Sequence, residues 1–105
     1  MLALLNSPVL TGDGCYRYRT VVLDEARQLV AQNEWVSAIG HPAAAEIVST
    51  ELGIDCPCNR MDWRQRVGDL ALVFKLLRRS ARVGDLSREE TLSAGFEWGL
   101  LERID

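Results

Sequence analysis

The chain has 105 residues, 48% hydrophobic and 26% charged, with a formal net charge of −3; this is the size and balance of one globular domain, with room for a single core but none for a deep cleft of its own. The acidic total excludes a general duplex-DNA binder, which needs surplus cations to displace counterions from the backbone. No apolar run approaches the length of a membrane span, and the start, Met1-Leu2-Ala3-Leu4-Leu5-Asn6, lacks the basic flank and length of a secretory signal, so a cytoplasmic protein is expected, in the host cytoplasm if the source is viral.

Residues 2–6 form a short apolar run with a turn-prone end, which reads as a buried strand. A loop through Ser7, Pro8 and Thr11-Gly12-Asp13-Gly14 leads to residues 16–22, where alternation and aromatic and β-branched residues predict a second strand presenting Arg17 and Arg19 on a polar surface. The period then changes. Leu23, Ala26, Leu29 and Val30 share one helical face, with Asp24 and Glu25 in the first turn, so a helix runs to about Asn33.

Residues 35–39 predict a third strand and residues 42–52 a second helix, with Pro42 in the first turn and Gly53 just beyond the end. Residues 58–63 alternate loosely and read as a strand carrying Asn59 and Arg60. A turn at Val67-Gly68-Asp69 leads into residues 70–77, the most apolar run and therefore the central strand. Residues 80–84 predict a surface loop. Ser87-Arg88-Glu89-Glu90 has capping-box spacing and opens a short helix, and residues 96–101 form a last strand. This order indicates an α/β fold in one domain over residues 1–105, a mixed sheet of about five to six strands with helices packed on it.

The only histidine, His41, follows the third strand in Ser37-Ala38-Ile39-Gly40-His41-Pro42 and precedes a helix. Histidine is the side-chain type that changes charge near neutral pH, and a helix start offers unpaired N–H groups and a favourable dipole to phosphate. A histidine beside phosphate is the minimum equipment for acid–base cleavage of a phosphodiester, whereas the same position also suits a histidine that merely caps or packs. Eleven of the twelve basic residues are arginine, clustered at Arg17/Arg19, Arg60/Arg64/Arg66 and Arg78/Arg79/Arg82. Their planar forks match phosphate oxygens two at a time, although an arginine-rich composition also follows from base composition alone. Cys15, Cys56 and Cys58 lack the repeated wider spacing of zinc sites and read as reduced thiols; neither a metal nor a cofactor is expected. Asn6-Ser7, Gly40-His41 and Arg78-Arg79 each follow a strand, and ligands of open α/β sheets bind beyond such ends, so the three can share one crevice if their strands run alike.

Leu-Leu-Asn-Ser-Pro-Val-Leu-Thr near the start, Ser-Ala-Ile-Gly-His, Cys-Asn-Arg, Gly-Asp-Leu-Ala-Leu-Val-Phe-Lys-Leu-Leu-Arg-Arg and a terminal Gly-Leu-Leu-Glu together resemble the small viral and bacterial ring-nuclease family that acts as an anti-CRISPR against type III systems. The resemblance spans nearly the whole chain in order, and Ser-Ala-Ile-Gly-His is its most specific piece. It implies a homodimer that binds cyclic tetra-adenylate across its interface and cuts it without metal into linear di-adenylates ending in 2′,3′-cyclic phosphate. By residue match it implies His41 as catalytic histidine, Arg79 as active-site arginine and Asn6 as a ligand contact. Ser7, Gly40, Arg78 and Arg82 complete the expected binding set. Where the family commonly carries a glutamate three residues after the arginine, this chain has Arg82; Asp85, Glu89 or Glu90 could substitute.

Two other classes remain open at this level. A dimer that sequesters a cyclic nucleotide or a protein partner without chemistry is favoured by the glutamate-to-arginine departure. A sheet binding single-stranded RNA through Tyr16, Tyr18 and Trp63 requires those rings exposed on one face, whereas aromatic side chains usually serve a core or an interface.

Overall fold

The computed structural model describes residues 1–77 and 87–105, the side chain of Arg88 excepted. Among the described residues, five strands and three helices follow in the order β1 (Leu2–Leu5), β2 (Tyr16–Val21), α1 (Leu23–Gln32), β3 (Trp35–Ser37), α2 (Pro42–Leu52), β4 (Leu70–Leu76), α3 (Arg88–Ala94) and β5 (Phe96–Arg103). They form one sheet in the order β2-β5-β4-β1-β3. β1 runs parallel to both β3 and β4, while β5 is antiparallel to β4 and β2. The carboxyl ends of β1, β3 and β4 therefore lie on the same edge of the sheet, the condition that the three predicted strand ends required.

Alternation along the strands sorts side chains to two faces. Leu2, Leu4, Leu72, Phe74, Trp98 and Leu100 point to one, where Ala26 and Val30 of α1 and Ala44, Ile47, Val48 and Leu52 of α2 complete the main core. Phe74 lies between Phe96, at 4.8 Å, and Trp98, at 5.6 Å, in tilted and edge-on contacts. Ala3, Leu5, Ala71, Val73 and Leu101 occupy the opposite face and, among the described residues, are covered by Trp63, Tyr16, Val36 and Ala38. Gln65, 1% exposed, donates from its amide to the carbonyls of Asp69 and Leu101, at 3.0 and 2.9 Å, and pins this covering segment onto the sheet.

Local signals account for most boundaries. Pro42 opens α2, and Gly53 closes it in the left-handed conformation (φ 67°), with its N–H donating to Ser49. The predicted capping box forms: the Ser87 hydroxyl accepts from the Glu90 amide and the Glu90 carboxylate accepts from the Ser87 amide, each at 3.2 Å. Residues 70–76 do form the middle strand. Residues 58–63 do not form a strand; the segment holds no β-branched residue, and Asn59 and Asp62 favour turns. β3 also stops at Ser37, two residues short of the predicted end. The loop expected at 80–84 lies outside the described residues.

β2 is an edge strand with Arg17 to Thr20 exposed. Its predicted arginines are engaged within the fold, Arg17 with Glu102 at 2.9 Å and Arg19 through both nitrogens with Glu25. Such charges blunt an open edge against pairing with another chain. Tyr18 lies across Gly99 of β5, where an added Cβ would overlap the phenol ring and its oxygen. Burial against this strand, and then Glu97, raise the Tyr18 phenol above its ordinary value.

Candidate functional site

β3 leads into the turn Ala38-Ile39-Gly40, which ends at His41, the N-cap of α2. Ile39 is fully buried and anchors the turn, and the Ala38 N–H donates to the Leu4 carbonyl at 2.9 Å, tying it to the end of β1. His41 is half-buried with extended backbone (φ −116°, ψ 122°), and its imidazole makes no cap hydrogen bond. The bland alternative of a capping side chain is thereby removed; a packing role is compatible with its half-burial. The first intrahelical bond runs from the Ala45 amide to the His41 carbonyl at 3.0 Å, so the amides of Ala43 and Ala44 precede it and belong to the positive end of the helix.

The segment after α2 grips this turn from its outer edge. Asn59 donates its main-chain N–H to the Ile39 carbonyl and its side-chain amide to the Ser37 carbonyl, both at 2.7 Å. The Ser37 hydroxyl donates to the Pro57 carbonyl at 2.6 Å. Arg60 donates to the Gly40 carbonyl at 3.2 Å, and its side chain lies so close over Gly40 that a Cβ there would sit 3.0 Å from Nε. Arg60 remains exposed, which leaves a guanidinium next to the histidine turn and open to an anion.

Asn6 and Ser7 follow β1 on the same edge and line a cavity of about 190 Å³ with Leu5, Ala38, Met61 and Trp63 among others. Apolar and aromatic side chains with a few polar groups are the usual lining of a small-molecule site. The Trp63 indole N–H is buried and makes no hydrogen bond among the described residues. Ala38 belongs both to this cavity and to the chain leading to His41.

Of the expected site residues, the structure therefore gathers Asn6, Ser7, Gly40 and His41 at the common edge. β4 also ends there, and Arg78, Arg79 and Arg82, like Asp85, lie outside the described residues. Glu90 serves the capping box and Glu89 is exposed on α3. Sequence reasoning placed Asn59 and Arg60 on a strand and did not assign either to the site; the signal that could have found them is the lack of any β-branched residue in Cys58-Asn59-Arg60-Met61-Asp62-Trp63, with turn-favouring Asn59 and Asp62. The three rings of the RNA-sheet alternative do not form one open platform. Tyr16 is hydrogen-bonded to the Gly12 carbonyl at 2.9 Å beneath Arg103, Tyr18 covers Gly99, and Trp63 packs on the second core.

Cys15 and Cys58 are exposed thiols and Cys56 is buried. Burial raises the Cys56 thiol above its ordinary value, against a smaller opposing effect of the hydrogen bond with Ser37. No helix among the described residues is long and apolar enough to cross a membrane.

Comparison with known proteins agrees with this architecture. The chain is 31% identical over 106 residues to YddF of Bacillus subtilis (strain 168), covering 99% of this chain and 98% of that protein. It is 33% identical over 110 residues to ORF117 of Acidianus two-tailed virus, covering 99% and 94%. The solved structure of B116 of Sulfolobus turreted icosahedral virus superposes with a TM-score of 0.74 at 17% identity, over 97% of this chain and 98% of that one, and so shares the fold. A family model described as STIV B116-like matches residues 2–98, and the chain belongs to that family of small proteins with viral members.

Proposed function

We propose that this protein is a ring nuclease that binds cyclic tetra-adenylate between two copies of the chain and cleaves it, without metal, to linear di-adenylates ending in 2′,3′-cyclic phosphate, thereby switching off type III CRISPR signalling. The observation that carries the reading is the placement of the single histidine, His41, at the start of α2 on the edge where β1, β3 and β4 all end, with Asn6 and Ser7 on the same edge and the Arg60 guanidinium on the adjacent Gly40 carbonyl. The sequence resemblance and the viral relative support it further.

In this scheme a ribose 2′-hydroxyl, giving up its proton to water, attacks the adjacent phosphorus in line as the P–O5′ bond breaks. The imidazolium of His41 delivers a proton to the departing 5′-oxygen and is left neutral, to be reprotonated from solvent. Arg79 and the first amides of α2 stabilise the charge on the phosphorane, while Asn6, Ser7, Gly40, Arg78 and Arg82 hold the ring. One chain of this size is too small to enclose a cyclic tetranucleotide, and a twofold dimer presents one such set to each half of a twofold ligand, which accounts for two identical products. The protein then works in the cytoplasm, where the second messenger is found. Arg82, in place of the resembled family's glutamate, favours a second reading, a dimer that sequesters the ring uncut.

His41→Ala separates these readings. Loss of a positioned proton donor slows a reaction by about a hundredfold to ten-thousandfold, so the variant should bind the ring and leave it intact. Turnover like that of the unaltered protein would remove His41 from the mechanism.

A further inference from the structure

We infer that Asn59 is a positioning residue for His41: its two amides clamp the backbone that aims the histidine. In an extended chain the carbonyls of residues two apart face the same edge, and those of Ser37 and Ile39 face outward from β3, the last strand of the sheet. A neighbouring strand would need two residues to satisfy both. Asn59 does so alone, with its main-chain N–H on Ile39 and its side-chain Nδ2 on Ser37, each at 2.7 Å. The clamp therefore continues the sheet beyond the end of β3 without a sixth strand. On the other side, the Ala38 amide bonds to Leu4 and fully buried Ile39 fills the core. Held at both edges and from beneath, the chain reaches His41 in one conformation even though Gly40 directly precedes it.

Only an asparagine or a close analogue meets the geometry. Alanine keeps the main-chain bond and loses the side-chain donor. Aspartate keeps the shape but turns an acceptor toward the Ser37 carbonyl, where donor becomes repulsion. Asn59 is exposed and fills no core space, so its replacement changes the aim of the turn more than the packing beneath it.

This inference rests on the proposed role of His41, but one readout does not depend on activity. As the sole histidine, His41 gives a single set of imidazole resonances in a heteronuclear NMR spectrum. The control is Asn33→Ala, which removes an equivalent bond, from Nδ2 to the Leu29 carbonyl at 2.9 Å, at the far end of α1. Asn59→Ala and Asn59→Asp should shift or broaden the His41 resonances, the aspartate more strongly, while Asn33→Ala leaves them in place. A displacement of about 1 Å costs up to roughly a hundredfold in rate, so kcat for cyclic tetra-adenylate should fall about tenfold to a hundredfold with KM held within about twofold. Unmoved His41 resonances in both Asn59 variants would overturn the inference whatever the kinetics. Moved resonances in a protein that cleaves nothing would uphold the clamp and refute the nuclease reading.

Discussion

Gly40→Ala separates the fold's need for glycine from the site's need. Gly40 is not among the glycines with positive φ, so its backbone accepts alanine, and the stiffer unfolded chain should stabilise the protein by about 0.4–1 kcal/mol. Against this, the new Cβ would stand 3.0, 3.2 and 3.3 Å from Nε, Cβ and Cγ of Arg60. Nε and Cγ belong to an exposed, flexible side chain and can swing away, losing its bond to the Gly40 carbonyl, worth about 0.5–1.5 kcal/mol. The Arg60 Cβ is fixed to the main chain and must give by a few tenths of an ångström. The two effects nearly cancel, and the melting temperature should stay within a few degrees, since about 1 kcal/mol corresponds to roughly 4–8 °C in a domain of this size. In an Arg60→Ala background the Nε and Cγ contacts are gone and only the contact with Cβ remains, so the same substitution should change the melting temperature more favourably there than in the unaltered protein. Ligand affinity should behave differently: removing a charged hydrogen bond worth about 1.5–3 kcal/mol weakens binding roughly tenfold to a hundredfold. Gly40→Ala and Arg60→Ala should each show that loss by isothermal titration with cyclic tetra-adenylate, and the double variant no more than either. Additive losses, or equal destabilisation by Gly40→Ala in both backgrounds, would refute the contact between Gly40 and Arg60 as the cause.

Gly99→Ala should destabilise the protein by about 1–3 kcal/mol through forced displacement of the Tyr18 ring, with Tyr18→Ala restoring part of the loss; equal denaturation midpoints for Gly99→Ala and the unaltered protein would contradict the packing. Because burial raises the Cys56 thiol, less of it is thiolate at pH 8, and mass-resolved alkylation should modify Cys15 and Cys58 well before Cys56; simultaneous modification of all three would contradict the burial. On the proposed role of Arg82 in holding the ring, with Arg78 and Arg79 nearby in sequence, Arg82→Glu should reduce both binding and rate through like-charge repulsion between its carboxylate and phosphate. A faster enzyme at unchanged affinity would instead mark Arg82 as a loss that slows this chain.

Where local chemistry dominates, the sequence was a sufficient guide. Pro42 and Gly53 bracket α2, Ser87 and Glu90 build the capping box, and the run Leu70-Ala71-Leu72-Val73-Phe74 becomes an interior strand, like β1 beside it, because an interior place buries both faces. The edge shared by Asn6, Ser7, Gly40 and His41 was legible as well, since short β–α connections leave strand ends together once the strands run parallel. What was not legible depends on partners distant in the chain. Residues 58–63 alternate like a strand, yet one asparagine supplies from its side chain the bond a second strand residue would have donated. Arg17 and Arg19, read as a polar surface, pair with Glu102 and Glu25, and no spacing rule announces a partner 85 residues away. The cavity beside Asn6 needs Met61 and Trp63 to cross the sheet face, which periodicity does not encode.

The central claim is that this chain opens a cyclic tetra-adenylate ring with its own side chains. Purified protein incubated with uniformly labelled cyclic tetra-adenylate and excess chelator, with products resolved by mass, tests it in one step. The account predicts linear di-adenylate carrying a 2′,3′-cyclic phosphate, formed by the unaltered protein and not by His41→Ala. A ring that remains intact, whether bound or free in solution, would contradict it.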